Sequence, residues 1–247
     1  MEIEYLPGAL SEYGYPISVN PQPSHIVDRL APYLPENSLV LDVGSGTGPN
    51  AHYLATRGHD VVALEYSEVA IENRSKVARH LGLTSLSRVN DVRADLNDLP
   101  FNNQSFDAVI SSISLQFIEH ESQRLQVLSE LQRITKEGGL LAIHAYIASE
   151  QDAPKWPKVA YRPGEISNNL ALKGWNILFS PMDKLTPIKM EFDTSSGEIK
   201  PFNYSSTSII AQKPKAIDQR RKEILREAMY FQRSDPELYA MLMDSIS

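Results

Sequence analysis

Three glycines at alternate positions, Gly44, Gly46 and Gly48, follow an acid in the run Leu41-Asp42-Val43-Gly44-Ser45-Gly46-Thr47-Gly48. A Cβ at such positions would block a sharp turn and keep a ligand from the backbone. A second acid, Glu65, lies about twenty residues after the first glycine, the spacing at which βαβ nucleotide sites hold ribose hydroxyls. The glycine spacing narrows the ligand. Gly-x-Gly-x-x-Gly seats a pyrophosphate on a helix N-terminus. Here the pattern is Gly-x-Gly-x-Gly beside anionic Asp42, which suits a ligand with a positive group better than a pyrophosphate.

These residues need a strand, a tight turn, a helix and a second strand to place them. The sequence supplies a short apolar strand over Leu39–Val43, a helix over Pro49–Arg57 and a strand over Asp60–Leu64. Ser67 is placed to cap a helix running to about Leu81, which Gly82 ends at the C′ position. Further strands are expected at Val89–Ala94, Phe106–Ser111 and Leu140–Ile147. A helix over Glu121–Lys136 would bury Leu125, Leu128, Leu131 and Ile134, and Gly138-Gly139 would end it. Ser24 is a candidate N-cap for a short helix over His25–Tyr33 with Ile26, Val27 and Leu30 on one face. Alternating strands and helices imply right-handed crossovers and a parallel sheet.

Three regions depart from that alternation. Residues 1–23, rich in Pro, Gly and Tyr, read as an N-terminal arm or lid. After Ala148 a Pro-containing loop precedes strands at Gly174–Phe179 and Ser206–Ala211, with a polar hairpin or extended excursion between them. The domain is expected to span 24–213. Residues 214–247 read as a helical extension of mixed charge, with helices over Ala216–Phe231 and from Ser234 onward. Its apolar face needs cover from its own domain or from a second copy, so a homodimer through these helices is one arrangement open to it.

The 247 residues carry a net charge of −7, with Lys and Arg numbering 24 against 31 Asp and Glu. That balance argues against a nucleic-acid partner, which favours a basic footprint. With no cysteine there are no disulfides, thiolate metal sites or thiol nucleophiles, and the six scattered histidines lack metal-ligand spacing. No metal is expected. No basic leader opens the chain and no apolar run approaches the roughly 20 residues that span a bilayer, so a soluble, cytoplasmic protein with no membrane partner is expected.

The run Leu41–Gly48 resembles the first motif of class I S-adenosylmethionine-dependent methyltransferases. Three later segments are similar to that family in the same order: Ala94–Phe101, Ser105–Ser112, and Glu130–Gly139. The resemblance implies a Rossmann-like α/β domain with a seven-stranded, mostly parallel sheet, helices on both faces and an antiparallel last strand. It implies S-adenosyl-L-methionine as cofactor and a small-molecule methyl acceptor. Pro49–Val61, Tyr161–Ile166 and Gly174–Leu178 also resemble the tellurite-resistance-type methyltransferases. Two alternatives stay open: a SAM-fold enzyme with a macromolecular acceptor or non-methyl chemistry, and a non-catalytic SAM-binding scaffold.

On this resemblance Gly44, Ser45, Gly46 and Gly48 bind the cofactor, Asp42 lies near its methionine ammonium or is a plain strand-end turn residue, and Glu65 holds the ribose or is a solvated strand-end carboxylate. Asp95 and the Leu96 amide face the adenine, unless Asp95 caps a turn with Asn97 and Asp98, and Tyr66 and Leu96 either sandwich the adenine or are core or rim residues. Ser111 ends a strand that lines the pocket. Acceptor chemistry falls to His144 and Tyr146, two apart on one strand face, and to Arg162, which could hold an anionic substrate or sit in a surface ion pair with Glu165. His144 is a candidate base or a satisfied buried histidine. Gln116 and Phe117 could line the acceptor site, Tyr13 and Tyr15 could close over it, and Trp156 and Trp175 read as packing residues.

Overall fold

The computed structural model describes residues 5–10, 16–18, 22–82, 85–115, 118, 120–147, 161–180, 188–189, 203–216, 223–224, 238 and 240–241. The elements run β1 (Tyr5–Leu10), β2 (Pro16–Ser18), α1 (His25–Leu30), β3 (Leu39–Val43), α2 (Pro49–Ala55), β4 (Asp60–Glu65), α3 (Glu68–His80), β5 (Val89–Arg93), β6 (Phe106–Ser112), α4 (Glu121–Ile134), β7 (Thr135–Ile147), α5 (Glu165–Leu172), β8 (Asn176–Phe179), β9 (Ile188–Lys189) and β10 (Asn203–Gln212).

Seven strands lie in the order β5-β4-β3-β6-β7-β10-β8, with short β9 pairing only with β10. From β5 to β7 every pair is parallel, while β10 runs antiparallel to both β7 and β8. Strand order therefore reverses between β3 and β6, and open α/β sheets bind ligands beyond the carboxyl ends at such a point. Alternate side chains divide the core between two faces. Val40, Ala108, Ile110, Leu140 and Ala142 pack under α1 and α2, whereas Leu41, Val43, Val109, Leu141 and Ile143 pack under α4 and α5.

Several expected elements take a different form. In the N-terminal segment β1 and β2 pair as a small antiparallel hairpin. The α1 segment is one α-helical stretch continued by a 3-10 turn over Ala31–Tyr33; the Ser24 side chain makes no cap, and its backbone N–H donates to Asn50 Oδ1. On α4 the buried stripe is Arg124, Val127, Leu128, Leu131 and Ile134, and Leu125 is exposed. Three-residue steps fall short of a full turn, so three of them carry Leu125 to the side opposite Ile134. Thr135 turns the chain directly into β7, and Gly138-Gly139 lie inside that strand. A Cβ on Gly139 would meet the Lys136 and Asp107 carbonyl oxygens at 2.8 and 2.9 Å, where the ladder with β6 slips register. Ser67 accepts from the Ala70 N–H and Gly82 sits at φ 64° after α3. The helices expected in 214–247, and Tyr13, Tyr15, Gln116, Phe117 and Trp156, lie wholly or mostly outside the described residues. No described helix is long and apolar enough to cross a membrane.

Candidate cofactor and acceptor site

The glycine loop is fastened to the end of β4. The N–H groups of Gly44 and Ser45 donate to the Leu64 carbonyl at 2.9 and 3.0 Å. The Gly46 N–H donates to Glu65 Oε2 at 2.8 Å, while Glu65 Oε1 accepts from the N–H groups of Tyr66 and Ser67. All three glycines adopt positive φ, at 69°, 53° and 88°. Their surroundings differ. A Cβ on Gly44 would stand 2.4 Å from Ser114 Cβ, and one on Gly48 would stand 2.9 Å from Arg74 Cδ. A Cβ on Gly46 would meet nothing within 4 Å, so the loop is open on that side.

Asp42 lies on the face of β3 covered by α2 and is wholly buried. Neither carboxylate oxygen makes a hydrogen bond of standard geometry, although the Asn50 amide and the Ala51 N–H lie close enough to ease its charge. Burial raises its pKa to about 6, against the pull of the Arg74 guanidinium. A buried carboxylate with no partner is expensive and suits a cationic group. Arg74 itself came from no motif. It is 2% exposed, donates to Ser45 Oγ at 2.6 Å and to the Gly46 carbonyl at 2.7 Å, and pairs with Asp91. The available signal was its place beside Asn73, Val77 and Ala78 on the buried face of α3.

The end of β6 closes the other side. Ser111 is wholly buried and its Oγ lies 2.7 Å from Ser114 Oγ, which donates to the Val43 carbonyl. The Ser111 side chain is thus used inside the fold and does not line a pocket. Ser45 is likewise used internally, between Leu64 and Arg74. Ile113, between these serines, holds φ 56° and its N–H donates to the His144 carbonyl. A β-branched residue is strained in that region, and such strain gathers at functional sites.

The adenine candidates have mixed surroundings. Asp95 Oδ1 accepts from both the backbone N–H and the side-chain amide of Asn97 at 2.8 Å, closing a turn. Leu96 packs partly against the core, and Tyr66 is 65% exposed. Trp175 is buried in the α5 side of the core.

His144 and Tyr146 share the α1 face of β7. His144 is 4% exposed and neither ring nitrogen has a hydrogen-bond partner. Its ring meets that of His25, edge to face, at 4.4 Å. His25 Nε2 lies 2.5 Å from Ser208 Oγ, and Ser208 is the register partner of His144 on β10. Burial lowers both pKa values, with each imidazole further opposed by a neighbouring cation or imidazole; His144 falls to about 4. His25 and Ser208 were not foreseen, because only the crossover of α1 over β7 and β10 assembles them. Arg162 is exposed and offers its backbone N–H, not its guanidinium, to Glu165 Oε2. It follows Tyr161, which bridges to Ile147 at the end of β7. Among the described residues no group of three His, Cys, Asp or Glu is placed to hold a metal.

Residues 41–143 match the family model described as a methyltransferase domain. The chain is 36% identical over 117 residues to a sarcosine/dimethylglycine N-methyltransferase of Aphanothece halophytica, a match covering 47% of this chain and 40% of that protein. The chain thus spans less than half the length of this curated relative. Among solved structures it superposes on a SAM-dependent methyltransferase from Methanosarcina mazei with a TM-score of 0.59 at 20% identity, covering 78% of this chain and 99% of the other. TehB from Haemophilus influenzae gives 0.58 at 19% identity, covering 76% and 61%. Both likenesses are of the fold.

Proposed function

From a chain that carries a methyltransferase domain over residues 41–143, we propose a SAM-dependent methyltransferase acting on a small-molecule acceptor. The observation that carries it is the wholly buried carboxylate of Asp42, without a hydrogen bond of standard geometry, beside a glycine loop that is open on the Cβ side of Gly46. S-adenosylmethionine fits that pair of features, because its amino-acid end carries an ammonium and its adenosine needs bare backbone to lie against.

In this reading Asp42 meets the ammonium, the Gly44–Gly48 backbone receives the ligand, Glu65 turns from the Gly46 amide to the ribose hydroxyls, and Asp95, Leu96 and exposed Tyr66 border the adenine. Bound S-adenosylmethionine supplies a methyl group already activated on a sulfonium, so the protein mainly aligns and desolvates the reactants. The acceptor would lie beyond the ends of β6 and β7. His144 stands on the same sheet face as Asp42, two strands away, about 10 Å across, and one same-face step nearer the carboxyl edge. Its neutral, unpartnered imidazole can accept a hydrogen bond or a proton from a hydroxyl, thiol or amine. Arg162, exposed beside Tyr161, would meet an anionic part of the acceptor, and Tyr146 would line the same edge.

The curated relative's amine acceptor favours small molecules over macromolecules, and the acidic charge of this chain agrees with that. Calorimetric titration with S-adenosylmethionine, S-adenosylhomocysteine and NAD tests the proposal. Binding of both adenosyl ligands without NAD supports it; no adenosyl binding overturns it.

A further inference from the structure

Arg74 heads the large, fully buried side chains of the described residues, yet it carries a charge. A buried guanidinium is costly unless it is paired and hydrogen-bonded. Its bonds are specific. Nη1 pairs with Asp91 on β5, and Nη2 reaches both Ser45 Oγ and the Gly46 carbonyl within the glycine loop. The loop backbone lies directly on its stem, since a Cβ on Gly48 would stand 2.9 Å from both Cδ and Nε.

The same cation faces the acids of the site. Its charge favours the ionised forms of Asp42 on β3, and is in turn supported by Asp42 and by Glu65 on β4. The Glu65 carboxylate opposes the ionisation of Asp42, and the remaining groups about it are neutral donors on α2, Asn50 and the Ala51 N–H. His52, also on α2 and near Arg74, is held toward its neutral form by burial and by that guanidinium. Arg74 is thus the cation that the site itself supplies opposite Asp42.

We propose that Arg74 is a positioning residue for cofactor binding. From α3 it fixes the glycine loop through Ser45 and Gly46, and it supplies the buried positive charge against which Asp42 stays anionic for the ammonium of the ligand. The inference rests on the assignment of this loop to S-adenosylmethionine. Asp91 tunes the device from outside, because its side chain is 42% exposed and partly neutralises the guanidinium.

The two charges give opposite, measurable signs. S-adenosylhomocysteine affinity is titrated calorimetrically between about pH 5 and pH 9 for the wild type, Arg74→Met, Arg74→Lys and Asp91→Asn. The Asp42 carboxyl is followed by carbon NMR in the ligand-free proteins. Arg74→Met should weaken binding at neutral pH by about tenfold or more and move the acidic midpoint upward. Asp91→Asn should move that midpoint downward, since it leaves the guanidinium uncompensated. Arg74→Lys should keep the midpoint near the wild-type value while binding more weakly, because an ammonium lacks the planar fork. A merely structural Arg74 would not shift the midpoint in opposite directions. Unmoved midpoints in folded Arg74→Met and Asp91→Asn would overturn the proposal. Should Arg74→Met fail to fold, an unmoved Asp42 resonance in Asp91→Asn overturns it alone. Absence of ligand binding by the wild type would instead sink the cofactor assignment, while the NMR titration still decides whether Arg74 and Asp42 are coupled.

Discussion

The Gly46 N–H donates to Glu65 Oε2 at 2.8 Å, so the acid that ends β4 clasps the glycine loop it faces. With Tyr66 and Ser67 also donating to this carboxylate, Glu65 has a structural task besides any contact with ribose. Glu65→Ala should therefore cost stability, about 1–3 kcal/mol, and weaken S-adenosylhomocysteine binding about tenfold or more. Urea unfolding and calorimetry read the two effects separately. A folded variant with unchanged affinity would remove the ribose role.

Asp42 trades stability for binding. Its folded pKa of about 6 stands above the ordinary aspartate value of 3.8. The folded chain holds this proton more tightly than the unfolded one, so the free protein loses stability as pH rises from about 4 through 6. The full cost, about 3 kcal/mol, is present above that window. Asp42→Asn should stabilise the ligand-free protein at pH 8 and impair S-adenosylhomocysteine binding. A variant that binds normally would contradict the assigned role of the carboxylate.

His144 acts with the opposite sign. Its folded pKa lies near 4, below 6.5, so its contribution is intact above pH 6.5 and is lost as pH falls through 4, by up to about 3 kcal/mol. His25, His52 and His59 are shifted in the same direction. All four histidines oppose the gain from protonating Asp42 as pH falls below 6.5. His144→Gln should flatten that acid limb in denaturation series at several pH values; an unchanged slope would refute the burial of a neutral imidazole. Once an acceptor is found, His144→Ala should lower turnover more than cofactor affinity if the imidazole takes a proton.

Gly44 and Gly46 should respond differently to the same small change. Gly44→Ala drives a methyl into Ser114, 2.4 Å away, and should destabilise the fold. Gly46→Ala meets no protein atom and costs only about 1 kcal/mol for its left-handed backbone, yet the methyl enters the ligand's space. Thermal melts should separate the two, and S-adenosylhomocysteine titration of Gly46→Ala should show little or no binding. Normal binding there would place the ligand elsewhere.

The sequence by itself determined the parts whose physics is local. Alternate glycines before a helix, an acid at the end of the next strand and Ser67 as a cap are short-range patterns, and the βαβ unit was legible from them. It misjudged α4 because a three-residue apolar step drifts around a helix, and it placed Gly138-Gly139 after a helix when the pairing of β7 with β6 takes them into the sheet. Only the tertiary structure joined residues distant in the chain. Arg74 reaches the loop because α3 packs across it, and His25 and Ser208 meet His144 because a helix before the sheet and its last strand converge on β7. Such groups carry no motif, since what selects each one is the burial and charge of partners that the fold brings together.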